Sequence, residues 1–188
     1  MATAISDVYI CNLALTYLST ARIQSLTENT EEARKCQAVY EAERDSMLES
    51  ANWNFARKEA SLAQTTASPG LTDRWSNIFQ LPSDCLRVCR ITGDYEFEIF
   101  GDKLYTNESS IKCEYIARIE DPTLFSRSFV KALASRIASV LAYGITQNGT
   151  LAQQAEAIAE RDLRNAKAVD AQEGKINKVL SGGLLEYR

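Results

Sequence analysis

The chain has no histidine, and only eight glycines, three prolines and two methionines among its 188 residues. Without histidine it lacks the side chain most often used for acid–base work near neutral pH, and the commonest metal ligand as well. Its glycines nowhere form a phosphate-cradling loop, no serine sits in a nucleophile elbow, and no acidic pair has the spacing of a metal centre. Glu96 and Glu98 alternate along one segment, which is the habit of a solvated strand face. These absences predict a chain that is not an enzyme and carries neither cofactor nor metal.

Five cysteines, an odd number with no export signal, predict reduced thiols rather than a disulfide framework. Cys85 and Cys89 lie four apart and Cys113 falls in another strand, so a metal site would have to take a further ligand from Cys11 or Cys36. Free cysteine behaves as a small hydrophobe, and burial in the core is the expected role. A formal charge of −4 argues against a surface that wraps nucleic acid by neutralising phosphates. No unbroken apolar run approaches the ~18 residues of a membrane span, and the first six residues have neither the basic start nor the cleavage site of a signal peptide. A cytosolic, soluble chain with no membrane partner is expected.

What is present is strong helical periodicity. Residues 126–173 read as two long helices joined at Asn148-Gly149, with Thr150 as the expected cap of the second. In the first, Phe129, Leu133, Ile137, Leu141 and Ile145 recur every fourth residue beside Val130, Ala134 and Ala138. In the second, Leu151, Ala155, Ile158, Ala159, Leu163, Ala166 and Val169 form the expected buried face. Asp121-Pro122 supplies either the start of the first helix or a short prelude to it. Upstream, Ser6 caps a helix whose apolar row is Val8, Cys11, Leu15 and Leu18, extended by Tyr9, Leu13 and Tyr17. Thr30-Glu31-Glu32 opens another, carried by Ala33, Cys36, Tyr40, Met47 and Ala51, with Arg34, Lys35, Glu41, Glu43 and Arg44 as its solvated face.

Between the helical regions the period changes. Residues 64–73 hold a polar run with Pro69-Gly70 that reads as an exposed loop. From 85 to 119 the period is two, with strands at 86–91, 95–99, 103–106 and 111–117 and a hairpin turn at Gly101-Asp102. The expected fold class is α+β: an antiparallel helical bundle (1–63 and 121–173) with a loop (64–84), an inserted antiparallel β-meander (85–119) and an extended C-terminal tail (174–188). Residues 1–173 form one domain in this reading.

Several runs go beyond periodicity. Ile10-Cys11-Asn12, Leu26-Thr27-Glu28, Ala33-Arg34-Lys35-Cys36 with Tyr40, Ala51-Asn52-Trp53-Asn54-Phe55-Ala56 and Leu62-Ala63 resemble the N-terminal half of bacteriophage head-to-tail adaptor (connector) proteins. These include the tail tubular protein A-like family of short-tailed phages. Trp75 and Leu81-Pro82-Ser83-Asp84-Cys85-Leu86-Arg87-Val88 are similar to that family's entry into its sheet. Trp53, Phe55, Trp75 and Pro82 are the structural marks of the resemblance. It implies a virion protein made in the host cytoplasm, with about a dozen copies forming a ring under the portal protein, next to tail nozzle or tail fibre proteins, and with DNA passing non-specifically through the channel.

The tail after Gly174 belongs to none of those motifs. Its apolar residues Ile176, Val179, Leu180, Leu184, Leu185 and Tyr187, with Arg188, are the candidate portal-binding anchors, since a segment so short cannot bury them by itself. The loop 64–73 is the alternative anchor. Two other functions are weighed: a helical nucleic-acid-binding regulator, which needs a concentrated basic helix, and a cysteine-dependent enzyme.

Overall fold

The computed structural model describes residues 4–65, 74–93 and 95–173. The expected tail 174–188, with all its candidate anchors, and most of the loop 64–73 lie outside the described residues. Four α-helices and two antiparallel sheets make a mixed α+β fold. The helices are α1 (Asp7–Tyr17), α2 (Glu31–Glu49), α3 (Arg127–Thr146) and α4 (Gly149–Gln172). The strands are β1 (Arg57–Ser61), β2 (Ala63–Thr65), β3 (Asn77–Gln80), β4 (Cys85–Ile91), β5 (Phe97–Phe100), β6 (Lys103–Thr106) and β7 (Lys112–Ala117).

Helix starts follow capping chemistry. Ser6, Thr30 and Ser126 each accept a hydrogen bond from the backbone N–H three residues on, satisfying one of the orphan donors of the first turn. Asp121-Pro122 is a prelude: residues Pro122–Leu124 form a single 3₁₀ turn before α3. At the α3–α4 junction the expected roles move by one or two residues. Gln147 takes the left-handed conformation (φ 52°), while Asn148 caps α4 through Oδ1 to the N–H groups of Thr150 and Leu151. Asparagine's short carbonyl arm suits both bonds, so Thr150 is left inside the helix.

α3 is the central element and packs against α1, α2 and α4. Phe129, Leu133, Ile137 and Leu141 are buried on it, with Val130, Ala134 and Ala138 beside them. By length and composition this helix meets the criterion for a membrane span, at a mean hydropathy of 1.3, although lysine, arginine and serines interrupt its apolar run. Its neighbours in the fold account for that apolarity, since they bury over half of it. α1 buries Ile10, Cys11, Ala14 and Leu15 and leaves Tyr17 exposed, a row turned slightly from the expected one. On α2, Arg44 falls on the buried row Ala33, Cys36, Tyr40, Met47 rather than the solvated face. Its guanidinium Nε donates to Asp45 at 2.9 Å, and Asp45 also accepts from Arg118 at 2.7 Å, so the buried cation keeps a partner.

The sheets depart from the expected meander. One runs β1-β7-β4 and the other β2-β3-β6-β5. β4 and β7 pair with each other across the β5–β6 hairpin, so the chain order is not the spatial order. β1 and β2 fall in the region read as helical or looped, and β3 within the expected loop; all three are strands. The β5–β6 turn has Gly101 at φ +61° with no positive φ at Asp102, the pattern of a type II′ hairpin. One hydrophobic core spans the helices and both sheets, and a second small cluster of Trp75, Ile78 and Tyr105 sits apart from it.

Candidate interaction surface

Residues 50–57 join the two layers. Trp53 is fully buried, its indole Nε1 donates to the Met47 carbonyl at 2.8 Å, and its ring meets Phe129 edge-on at a centroid distance of 4.9 Å. Phe55 packs on Phe129 at 5.1 Å and on Phe125 at 5.8 Å. Asn54 then ties this bend to the end of α4. Its N–H donates to both Asp170 carboxylate oxygens at 3.1 Å and its Nδ2 to the Asp170 carbonyl at 2.6 Å. Burial, with the neighbouring Glu173, pushes the Asp170 carboxyl above its ordinary value against the opposing Asn54 bond. Trp53 and Phe55 therefore serve packing.

Trp75 is buried in the small cluster, donates Nε1 to Glu98 at 2.9 Å and lies under Arg74 at 4.9 Å. Pro82 lines a cleft of about 630 Å³ between β4 and the β5–β6 hairpin, together with Leu81, Ile99 and Gly101. Arg87 also lines it and donates Nη2 to Asn52 at 2.6 Å. Asp84, from the same Pro-Ser-Asp turn, accepts from Lys58 at 2.8 Å and Tyr115 at 3.1 Å, which pins the turn to β1 and β7.

The cysteines divide into two groups. Cys11 and Cys36 meet between α1 and α2, where the Cys36 hydrogen bond and burial push the Cys11 thiol far above its usual value. Cys85, Cys89 and Cys113 lie on β4 and β7, and burial pushes Cys85 up to about 11 and Cys113 up to about 12. Among the described residues, no group of three or more histidine, cysteine or acidic side chains is placed to hold a metal ion.

α4 carries the main departure from the sequence reading. Its buried residues are Ala159, Asp162, Ala166 and Asp170, whereas Leu151, Ile158 and Val169, read as core, are 45%, 43% and 45% exposed. At 100° per residue, intervals of seven and eleven return to within about 20° of one line, so these three aliphatics form a single stripe along the helix. Leu151 and Ile158 also line a groove of about 440 Å³, with Tyr17 and Leu18 from the end of α1 and Ala138 from α3. Ser19 ends α1 in the left-handed conformation (φ 55°), turning the chain away at the groove's mouth.

One end of the groove is polar. Asp162 is 4% exposed and lies 2.8 Å from Ser135 Oγ, 3.3 Å from Lys131 Nζ and 3.4 Å from Arg161 Nη2. Burial alone would raise its carboxyl, but the Ser135 bond and the two cations outweigh it and hold it below the ordinary value. Asp162 and Asp170 escaped the sequence reading, though a lone acid on an alanine stripe is the available signal. Asn12, singled out in the sequence only within the Ile10-Cys11-Asn12 run and with no role read for it, fixes the α1–α2 connection: its Oδ1 accepts from the N–H of Ile23 and its Nδ2 donates to the Ile23 carbonyl, each at 2.8 Å.

Ser135 and Asp162, the hydroxyl and carboxylate that meet at the groove's margin, are both buried and bonded to each other; what the groove and stripe offer chemically is apolar area with a charged margin. The sequence matches no protein-family model and no curated protein.

Proposed function

We propose that the chain is a structural virion subunit, a bacteriophage head-to-tail adaptor that assembles as a ring between the portal protein and the tail, with DNA passing through its channel. The observation that carries this is the row of exposed aliphatics Leu151, Ile158 and Val169 on α4, the first two of which line the groove with α1 and α3. Exposed aliphatics spaced along one line of a helix beside an apolar groove are a surface of the kind that protein contacts use. A ring needs each subunit to meet a different face of the next, and a helical stripe on one copy facing a dissimilar surface on its neighbour suits that heterologous geometry. The residues that carry the family resemblance act as fixed points of the fold: Asn12 clamps a connection, Trp53 seals the bend, Asp84 pins the sheet entry.

In this reading the four helices form an antiparallel bundle, the strands are its insert, and residues 174–188 are a tail that docks on the portal through Ile176, Val179, Leu180, Leu184, Leu185, Tyr187 and Arg188. Tail nozzle or fibre proteins bind elsewhere on the ring, and no catalysis is assigned. Electron microscopy of the purified protein with and without portal tests the proposal. Rings or decorated portals are expected. Absence of both at every concentration, together with DNA retention that falls steeply with salt, overturns it in favour of a nucleic-acid-binding regulator. Deleting residues 182–188 should leave helical content unchanged and abolish portal attachment; normal decoration by the truncated protein would move the anchor to the loop 64–73.

A further inference from the structure

Arg87 is half-buried and has no carboxylate within ion-pair reach among the described residues. Arg44 and Arg136, the other arginines there that the fold draws out of solvent, are paired with Asp45 and with Glu43 and Glu156. Arg87 has only the side-chain oxygen of Asn52, and its Nε is buried without an acceptor. An enclosed cation in that state is costly until an anion reaches it. The acids around it are already engaged: Glu114 holds Arg57 and Arg90, Asp84 holds Lys58 and Tyr115, and Asp102 holds Gln80.

A bulge puts the arginine where it is. β4 is the outer strand of its sheet, and Cys85 stands opposite Ala117 while Arg87 stands opposite Ile116, so Leu86 is an extra residue. Plain alternation would set Arg87 on the face of Cys85; the extra residue moves it to the other face. It joins Leu81, Pro82, Leu86, Val88 and Ile99 in lining the cleft of about 630 Å³, a volume that suits a small organic ligand. Among the described residues lining it, Arg87 is the only cation and Asp102 the only acid. That balance disfavours a polyphosphate or a nucleic-acid strand, which several cations would have to neutralise, and matches one carboxylate to one guanidinium.

We propose that the cleft between β4 and the β5–β6 hairpin is a binding site for an organic carboxylate with an apolar body. The anion sits on the Arg87 guanidinium and the body lies along Leu86, Val88 and Ile99. A free aliphatic acid and a glutamate side chain presented between apolar residues of another chain bring the same chemistry to Arg87. The site does not rest on the adaptor reading.

Nuclear magnetic resonance titration of the isotope-labelled full-length protein, followed at the Arg87 Nε–H signal, tests it. The probes are isocaproate with its neutral amide, and acetyl-Leu-Glu-Leu-amide with its glutamine counterpart. Both acids should shift that signal and the backbone N–H signals of Val88 and Ile99. They should bind about tenfold or more tighter than their neutral partners, the difference that a charge-assisted bond makes. The tighter of the two acids names the source. In Arg87→Gln the acids should fall to the level of the neutral probes. Ile99→Ala, at a position 41% exposed, should weaken acid and neutral probe alike and keep their ratio. Should Arg87→Gln not fold, the wild-type comparison of acid with neutral probe decides alone. The inference is overturned if neither acid shifts the Arg87 signal, if acid and neutral probe bind alike in wild type, or if the acids bind Arg87→Gln at full strength. A shift by sulfate as strong as that by isocaproate also overturns it, since the apolar body then plays no part.

Discussion

Trp53 gives the sharpest test of how the two layers are joined. The ring is fully buried, packs edge-on to Phe129 at 4.9 Å and lies 6.1 Å from Phe55, within a cluster completed by Phe125. Trp53→Ala deletes the largest member of that cluster, and such a cavity costs about 3–5 kcal/mol. The lost indole bond adds little. The Met47 carbonyl it leaves also accepts from Ser50 Oγ at 2.8 Å and Ser50 N at 3.3 Å, so no orphaned acceptor remains. For a chain of this length each kcal/mol moves the midpoint by about 2–4 °C, so a fall of roughly 6–20 °C is expected. Urea unfolding followed by tryptophan fluorescence and far-UV circular dichroism measures the difference, with Trp53→Phe as the control that keeps a ring and loses less. A loss under about 0.5 kcal/mol is what a surface site gives, and it would refute the claim that this bend anchors the fold.

The two buried acids of α4 should shape the pH dependence of stability in opposite senses. Asp162 is held below its unfolded value, so its stabilisation is present above the ordinary carboxyl range and disappears as pH falls through the lowered value. Asp162→Asn should cost about 1–3 kcal/mol at pH 7 and flatten the acid limb of unfolding curves measured from pH 2 to 7. Asp170 is raised, so its ionisation destabilises the fold as pH rises from the ordinary value through the raised one. Asp170→Asn keeps an acceptor for Asn54, and its urea midpoint at pH 7 should equal or exceed wild type; a clear loss would show that the charge itself is needed. Cys85 and Cys113, at about 11 and 12, should react slowly with a disulfide reagent at pH 7.5, and Cys11 and Cys36 only after unfolding; a rapid burst of two or more thiols would contradict this burial. Gly101→Ala should cost about 1 kcal/mol from conformation alone, because a Cβ there meets nothing within 4 Å; a stabilised variant in thermal unfolding would contradict the positive φ.

Much of the helical layer was legible because α3 is buried on a broad face, and a buried face leaves an unbroken period of apolar residues. β1 to β3 were not. β1 stabilises its polar side chains by cross-strand pairs whose partners are far off in sequence: Arg57 with Glu114, Lys58 with Asp84, Glu59 with Lys112. Such a strand shows charges rather than alternation until its neighbours are known. The pairing of β4 with β7 was hidden for a related reason. Nothing in a run of four strand-like segments says that the middle two leave as a hairpin to join another sheet.

The candidate surface was half legible. Leu151, Ile158 and Val169 stood out as a helical period, yet the same spacing describes a face buried in its own fold and a face kept for a partner. What decides between them is the pair of buried acids on α4, Asp162 beside the stripe and Asp170 farther round the helix. Turning the stripe inward would carry Asp162 away from Ser135 and Lys131, and Asp170 away from Asn54. Breaking the buried Asp162–Lys131 pair costs about 3–5 kcal/mol by itself, at least as much as the ~1 kcal/mol that covering the exposed half of each of the three aliphatics would return. The acids thus hold the helix in one rotation and leave Leu151, Ile158 and Val169 about half exposed among the described residues, as a surface open to a partner.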